Sequence, residues 1–221
     1  MSNYFTDGQR EVQERIDTRR LADQMANAVI HDTIGDSDRE YIEARDMFFL
    51  ATVDAEGRAN CSYKGGEPGF VRVVDEHTVA FPIYDGNGMY MTTGSIADNG
   101  EVGLLFVDFE GQSRMRLNGV ATLHFDDPLM SEYPEAQFIV RVRAREVFVN
   151  CPRYVHKMEL VERSRYVPKA ETETPIADWK LNMVERGAGD LLRADDPARP
   201  TDSSPAGQVV CAPNPNAAKP R

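Results

Sequence analysis

Cysteine is scarce in this chain: Cys61, Cys151 and Cys211 stand 90 and 60 residues apart. An odd count at such spacings offers no disulfide framework and no short-spaced pair of metal ligands, and it fits a reducing compartment. Long hydrophobic runs are also absent, since no stretch approaches the roughly 18 apolar residues of a membrane helix. The N-terminus lacks the basic stretch and apolar run of a secretion signal, so a cytoplasmic protein is expected. Basic charge is short as well: 25 Lys and Arg against 36 Asp and Glu leave −11 at pH 7. That balance repels a phosphate backbone, and neither nucleic acid nor membrane is an expected partner. The four histidines, His31, His77, His124 and His156, have no companion ligand at helical or hairpin spacing and read as structural. No Gly-x-Ser-x-Gly turn and no Walker-type loop occurs; Gly86-Asn-Gly88 is followed by Met89-Tyr-Met, so the third glycine of a dinucleotide fingerprint is missing.

What is present is enough chain for a self-supporting core, 221 residues that are 41% apolar. From residue 10 to residue 30, Val12, Ile16, Leu21, Met25 and Val29 recur at spacings of four or five, which predicts one amphipathic helix packed on the main domain. Ser37-Asp-Arg-Glu40 has the form of a capping box, so a second helix is expected to run to about Asp46. The period then changes. Met47-Phe-Phe-Leu-Ala-Thr-Val53 is a strand, Asp54-Ala-Glu-Gly57 its turn, and residues 58–63 the return strand of a hairpin. Further strands are expected at 70–74, 78–82, 115–124 and 138–149. Met115, Leu117, Gly119, Ala121 and Leu123 should face the core. So should Phe138, Val140, Val142 and Ala144, with Ile139, Arg141, Arg143 and Arg145 outward. Six or more short strands with glycine-rich turns predict an antiparallel sheet closed on itself, a small barrel. From Ala194 the composition turns to Pro, Ser, Asp, Asn and Ala, which cannot bury enough surface to offset chain entropy, and a flexible tail is expected.

Two segments carry unusual chemistry. In Asn60-Cys-Ser-Tyr-Lys-Gly-Gly66 a hydroxyl, a phenol and an ammonium precede two glycines that uncover backbone amides, which suits an anion or a flat ring. In Pro82-Ile-Tyr-Asp-Gly-Asn-Gly-Met89 two glycines flank Asn87 before an expected helix at 90–97, and a helix N-terminus is a ready phosphate site. Both segments read equally well as turns that need positive φ.

Taken together, these stretches resemble the pyridoxamine 5′-phosphate oxidase-like FMN-binding split barrels, in the branch of flavin-nucleotide-binding proteins. The likeness rests on Phe48-Phe-Leu-Ala-Thr-Val-Asp-Ala-Glu-Gly57, Ser62-Tyr-Lys-Gly-Gly-Glu-Pro-Gly-Phe-Val-Arg-Val73, Tyr84-Asp-Gly-Asn-Gly-Met89, Val102-Gly-Leu-Leu-Phe106, Arg116-Leu-Asn-Gly-Val-Ala121 and Asn150-Cys-Pro-Arg-Tyr154, in order over residues 37–180. The resemblance implies a mainly β (α+β), Greek-key split β-barrel with peripheral helices. It divides the chain into an N-terminal helix and linker (1–36), a flavin-binding barrel (37–190) and a proline-rich tail (191–221). It implies a homodimer with FMN at the interface, and an oxidoreductase that passes hydride between a nicotinamide or other donor and a small acceptor. A non-catalytic FMN carrier or sensor is the alternative, as is a barrel that takes a deazaflavin or haem; a haem would look to His124 or His156.

By the same resemblance, Ser62, Tyr63, Lys64 and Gly65 would lie along the flavin with Phe81 beside it. Asn87, Gly88 and Met89 would take the ribityl phosphate end, and Asn150 and Arg153 would close the site from one chain or the other. Arg153 reads equally as an arginine that fixes the turn after Pro152, and Cys151 reads as buried packing. The chain also departs from the family. Thr92-Thr93-Gly94-Ser95 stands where classical members carry adjacent Arg and Lys on the phosphate helix, and Asp178-Trp179-Lys180 replaces their substrate-contacting C-terminal segment. Oxidation of pyridoxamine phosphate is therefore not expected.

Overall fold

The computed structural model describes residues 4–200. It forms two compact units that divide between Glu173 and Thr174, whereas the sequence placed the end of the barrel domain at residue 190.

The first unit opens with α1 (Asp7–Arg15) and α2 (Arg19–Val29). The single helix expected over 10–30 is thus two, because Asp17 takes φ +57° and breaks the hydrogen-bond ladder. The predicted apolar stripe does not pack inward: Val12, Ile16, Leu21 and Met25 are all exposed, and Ala26 is the buried residue of the pair. Helix α3 (Asp36–Glu43) ends earlier than expected. Its N-terminus is closed by the Asp38 carboxylate, which accepts the Gly35 N–H at 3.0 Å.

Seven strands follow: β1 (Met47–Val53), β2 (Ala59–Gly65), β3 (Arg72–Asp75), β4 (Thr78–Ile83), β5 (Glu101–Asp108), β6 (Ser113–His124) and β7 (Phe138–Val149). Helix α4 (Met91–Asn99) lies between β4 and β5. The strands form one antiparallel sheet in the order β2-β1-β5-β6-β7-β4-β3. The sheet curls around one core without closing, since the hydrogen-bond ladder ends at β2 on one side and β3 on the other. The expected closed barrel is therefore split, and the fold is a mainly β (α+β) split barrel with peripheral helices.

Phe48 of β1 is the centre of the core. It stacks on Phe70 (centroids 5.8 Å apart), meets Phe81 of β4 edge-on at 5.0 Å and touches Phe106 of β5 at 5.3 Å. Phe48, Phe81 and Phe106 are fully buried. Aromatic pairs at these distances contribute about 0.5–1.5 kcal/mol each beyond the area they bury. Between Asn118 and Gly119 the β6/β7 register shifts by a bulge. A Cβ at Gly119 would sit 2.1 Å from the Arg143 carbonyl oxygen, so only glycine lets the two backbones approach there.

Met115, Leu117 and Ala121 are buried as predicted, and Phe138, Val140, Val142 and Ala144 likewise. Ile139 is the exception on β7: it was expected to face outward, yet it is fully buried. The 3₁₀ turn Pro128–Glu132 contacts β7 there, so the start of the strand has cover on both faces. That turn is fixed by Asp127, whose carboxylate accepts the Leu129 N–H at 2.9 Å and receives two bonds from Arg141 at 2.6 and 3.0 Å. Past β7, residues 150–173 run without regular structure back over the first unit, held where Gln112 donates to the Val155 carbonyl at 2.9 Å and Met158 N–H to that of Phe109 at 3.2 Å.

The second unit contains α5 (Asp178–Glu185) and a 3₁₀ turn at Gly189–Leu191. Lys180 and Asp196 are both buried and meet at 2.5 Å. The expectation of a flexible tail from Ala194 fails at Asp196, which is buried where it neutralises the Lys180 ammonium. Residues 201–221, with Cys211 and most of that tail, lie outside the described residues.

The core geometry generates a prediction for Phe81, which the resemblance placed beside a flavin. Phe81→Ala should lower the urea unfolding free energy by about 3–5 kcal/mol, the cost of an aromatic cavity in a close-packed core. A much smaller loss would show that the side chain is not a core residue.

Candidate functional site

The sequence Asn60-Cys-Ser-Tyr-Lys-Gly65 lies on β2, an edge strand, and the period of two sorts its side chains. Asn60, Ser62 and Lys64 enter a cleft of about 290 Å³, whereas Tyr63 and Gly65 enter a larger one of about 860 Å³. The four β2 residues expected along one ligand are thus shared between two clefts. Tyr84, in the chain between β4 and α4, lines both.

The smaller cleft is completed by the loop before α4 and by the first turn of that helix, including Asn87, Gly88, Met89, Thr92 and Thr93. The loop is bent by Gly88 at φ +75° and Tyr90 at φ +47°. Its shape is fixed by short bonds. The Asn87 side chain accepts the Met89 N–H at 3.0 Å, the Tyr90 hydroxyl donates to Gln137 at 2.7 Å, and the Gln137 N–H donates to the Ile83 carbonyl at 2.8 Å. No side chain caps α4, so the amides of its first turn have no partner within the helix, and Met91, Thr92 and Thr93 that carry them line the cleft.

The hydroxyls of α4 are mostly committed. Thr93 donates to the Tyr90 carbonyl at 3.2 Å and Ser95 to that of Met91 at 3.0 Å. Thr92 donates to the Ser62 Oγ at 3.2 Å, which leaves the Ser62 proton free to point into the cleft. Lys64 is half-buried and, among the described residues, makes no hydrogen bond or ion pair. Burial pushes its ammonium below the ordinary lysine value. A positive group kept out of water, an uncapped helix N-terminus and a free hydroxyl all face one volume, and together they can hold an anion.

The remaining candidates lie elsewhere. Phe81 is sealed in the core. Asn150 and Arg153 line neither of these clefts. Asn150 donates its N–H to the Arg114 carbonyl at 3.1 Å while its Oδ1 is buried without a partner. Arg153 is exposed and donates its Nε to the Cys151 sulfur at 2.9 Å. Cys151 is exposed rather than buried packing, because it lies two residues past the end of β7, just before the turn at Arg153 and Tyr154. The Arg153 backbone N–H and guanidinium hold its thiol below the usual value. Among the described residues no group of His, Cys, Asp and Glu has the geometry of a metal site. No helix there is long and apolar enough to cross a membrane.

Sequence reasoning missed Tyr84 as a cleft residue, and named Thr92 only as standing where the family's basic pair would be on the phosphate helix. Tyr84 stood within the Tyr84-Asp-Gly-Asn-Gly-Met89 stretch, and its position between two clefts appears only once β2 and the α4 loop are side by side. Burial pushes the Tyr84 phenol up to about 12, so it is a neutral donor at physiological pH.

The family model described as pyridoxamine 5′-phosphate oxidase matches residues 34–163. Among solved structures the chain is similar to HupZ of Group A Streptococcus, at 19% identity and a TM-score of 0.44 over 57% of this chain and 99% of that one. It is also similar to an FMN-binding protein of Syntrophomonas wolfei, at 10% identity and 0.42 over 63% and 97%. A third is HutZ of Vibrio cholerae, described as a heme storage protein, at 20% and 0.39 over 52% and 94%. No curated protein matches the chain significantly.

Lys64 yields a signed prediction. A lysine whose folded pKa is depressed destabilises the fold while charged, fully so below the folded pKa, and the cost fades as pH rises towards 10.5. Lys64→Met should therefore raise the melting temperature of the ligand-free chain at neutral pH, with a gain that shrinks at high pH. Inorganic phosphate should stabilise the wild type more than the variant in thermal scans. An equal response of both chains would remove Lys64 from the anion site.

Proposed function

The chain belongs to the pyridoxamine 5′-phosphate oxidase family, and from that membership we propose that it is an FMN-binding oxidoreductase that works as a homodimer. One observation carries this reading: the unpaired Lys64 ammonium and the uncapped N-terminus of α4 line the same cleft, where the family resemblance puts a flavin phosphate. The residues fit the group. Gly86 and Gly88 have nothing within 4 Å of where a Cβ would stand, so the loop leaves its backbone open to a ligand. The cleft's 290 Å³ suits the phosphate and ribityl end rather than the whole nucleotide, in keeping with a ring completed by a second chain.

Bound FMN would supply two-electron hydride exchange, which no amino-acid side chain offers. The chain's own contribution is binding and field. The α4 amides and the Ser62 hydroxyl would hold the phosphate, and Lys64 would supply the positive charge that the missing Arg and Lys of the helix would otherwise give. Thr92 holds Ser62 in its donating orientation. Asn87 shapes the loop through its bond to the Met89 N–H, and Gly88 supplies the positive φ. Tyr63 and Gly65, on the opposite face of β2, would meet the ring only around the strand edge. Arg153, exposed and outside this cleft, would reach the flavin of the partner chain.

A haem reading has less support, because neither His124 nor His156 lines either cleft. His124 instead bonds the Thr122 hydroxyl at 2.8 Å.

The test is an FMN titration followed by absorbance. Lys64→Ala should weaken binding by about tenfold to a hundredfold, the worth of a charge-assisted bond. Arg153→Ala should weaken it only if the protein is dimeric in scattering. Anaerobic mixing with NADH or NADPH then separates enzyme from carrier, since only an enzyme bleaches the flavin at a useful rate. Absence of any flavin binding would overturn the reading.

A further inference from the structure

The larger cleft is not used by the anion-binding arrangement described above. It lies on the other face of β2, between that strand, the start of β1, the β5–β6 turn and the returning segment at 158–167. Its volume of about 860 Å³ is within the range of small-molecule sites. Tyr63, Tyr84, Phe109 and Tyr166 give it aromatic walls. The Tyr63 ring is seated over the bare Cα of Gly65, where a Cβ would fall 2.8 Å from it, and its edge meets Phe49 at 6.1 Å. The glycine thus opens a flat aromatic floor.

Charge in this cleft runs opposite to that of its neighbour. Its two arginines are already neutralised: Arg45 pairs with Asp108 at 3.0 Å and Arg163 with Asp46 at 3.3 Å. The carboxylates of Glu110, Glu159 and Glu162 line the same space with no ion-pair or hydrogen-bond partner among the described residues. They are contributed by two separate segments, one from the β5–β6 turn and two from the returning chain. Negative charge therefore faces aromatic rings across a volume that can hold a ligand. Cations are attracted both by carboxylates and by the faces of such rings.

We propose that this cleft binds a small organic cation that carries a flat ring, an aromatic amine or quaternised heterocycle, and that anionic analogues are excluded. Binding as such follows from the cleft alone. Its role as the electron-exchanging substrate rests on the flavin reading above, with Tyr84, which lines both clefts and is held as a neutral phenol, as the shared wall.

The experiment uses the full chain as purified, with its flavin content measured by absorbance. Phenethylamine, a cation at neutral pH, and 3-phenylpropionate, of similar size but anionic, serve as calorimetric probes. The amine should bind at least about tenfold more tightly, and added salt should weaken it, as for any attraction between charges that water reaches. The triple variant Glu110→Gln, Glu159→Gln, Glu162→Gln keeps the shape of exposed side chains, so it should fold, and it should erase most of that preference. Equal affinity for the two probes, or a triple variant that discriminates as well as wild type, would overturn the proposal. FMN titration of the same samples keeps the two readings apart: amine binding without flavin binding sinks only the flavin assignment, and flavin binding without amine preference sinks only this one.

Discussion

Everything at the candidate site depends on how Phe48 fastens the curled sheet. The ladder of hydrogen bonds stops at β2 and β3, so no strand pairing closes the sheet, and its two ends are linked along the chain only by residues 66–71. Side chains do it instead. Phe48 on β1 reaches Phe81 on β4 and Phe70 just before β3, and the sheet is held round by aromatic contact rather than by strand pairing. Because the join is made in the core, the rim stays open, and β2 is left as an edge with both faces accessible. A closed barrel of the same strands would pair β2 along its free side and narrow both clefts.

From that edge the rest follows by alternation. A strand with a period of two and no neighbour on one side presents Ser62 and Lys64 to one volume and Tyr63 and Gly65 to another. The two volumes differ in sign. One gathers an ammonium, a hydroxyl and the positive end of a helix; the other gathers aromatic rings and unpaired carboxylates. Tyr84 stands between them as a neutral phenol because burial keeps its proton on. Electrostatics thus sorts ligands by face with only a few side chains. The departure of α4 from the family pattern is consistent with this economy: Thr93 and Ser95 spend their hydroxyls on their own helix, and Thr92 spends its on Ser62. Positive charge in the smaller cleft then rests on Lys64 and the helix amides.

Much of the fold was legible in the sequence because strand signals are local. Residues 47–53 and 138–149 have the bounds that their β-branched and aromatic runs indicate, and β6 buries the face that its alternation marks. The errors have physical causes too. Val12, Ile16, Leu21 and Met25 have helical spacing, but periodicity says only that they share a face, and one residue at positive φ splits that face without changing the composition. Ile139 alternates outward on its strand, yet it is fully buried, on a strand against which the turn at 128–132 packs. Cys151 looked like packing because free cysteines usually are; the end of β7 at Val149 left it on the surface beside Arg153.

The sequence by itself determined which residue types were available and in what local conformation: an antiparallel β protein, a glycine-bent loop ahead of a helix, and an ammonium near the end of a strand. It did so because hydrophobic period, turn chemistry and helix entry act over a few neighbouring residues. Only the tertiary structure decided that Lys64 and the α4 N-terminus share a cleft, that Tyr63 turns away from them, and that Glu110 lines the same cleft as Glu159 and Glu162. Those juxtapositions join segments dozens of residues apart, and they are set by where a sheet curls and where it stays open.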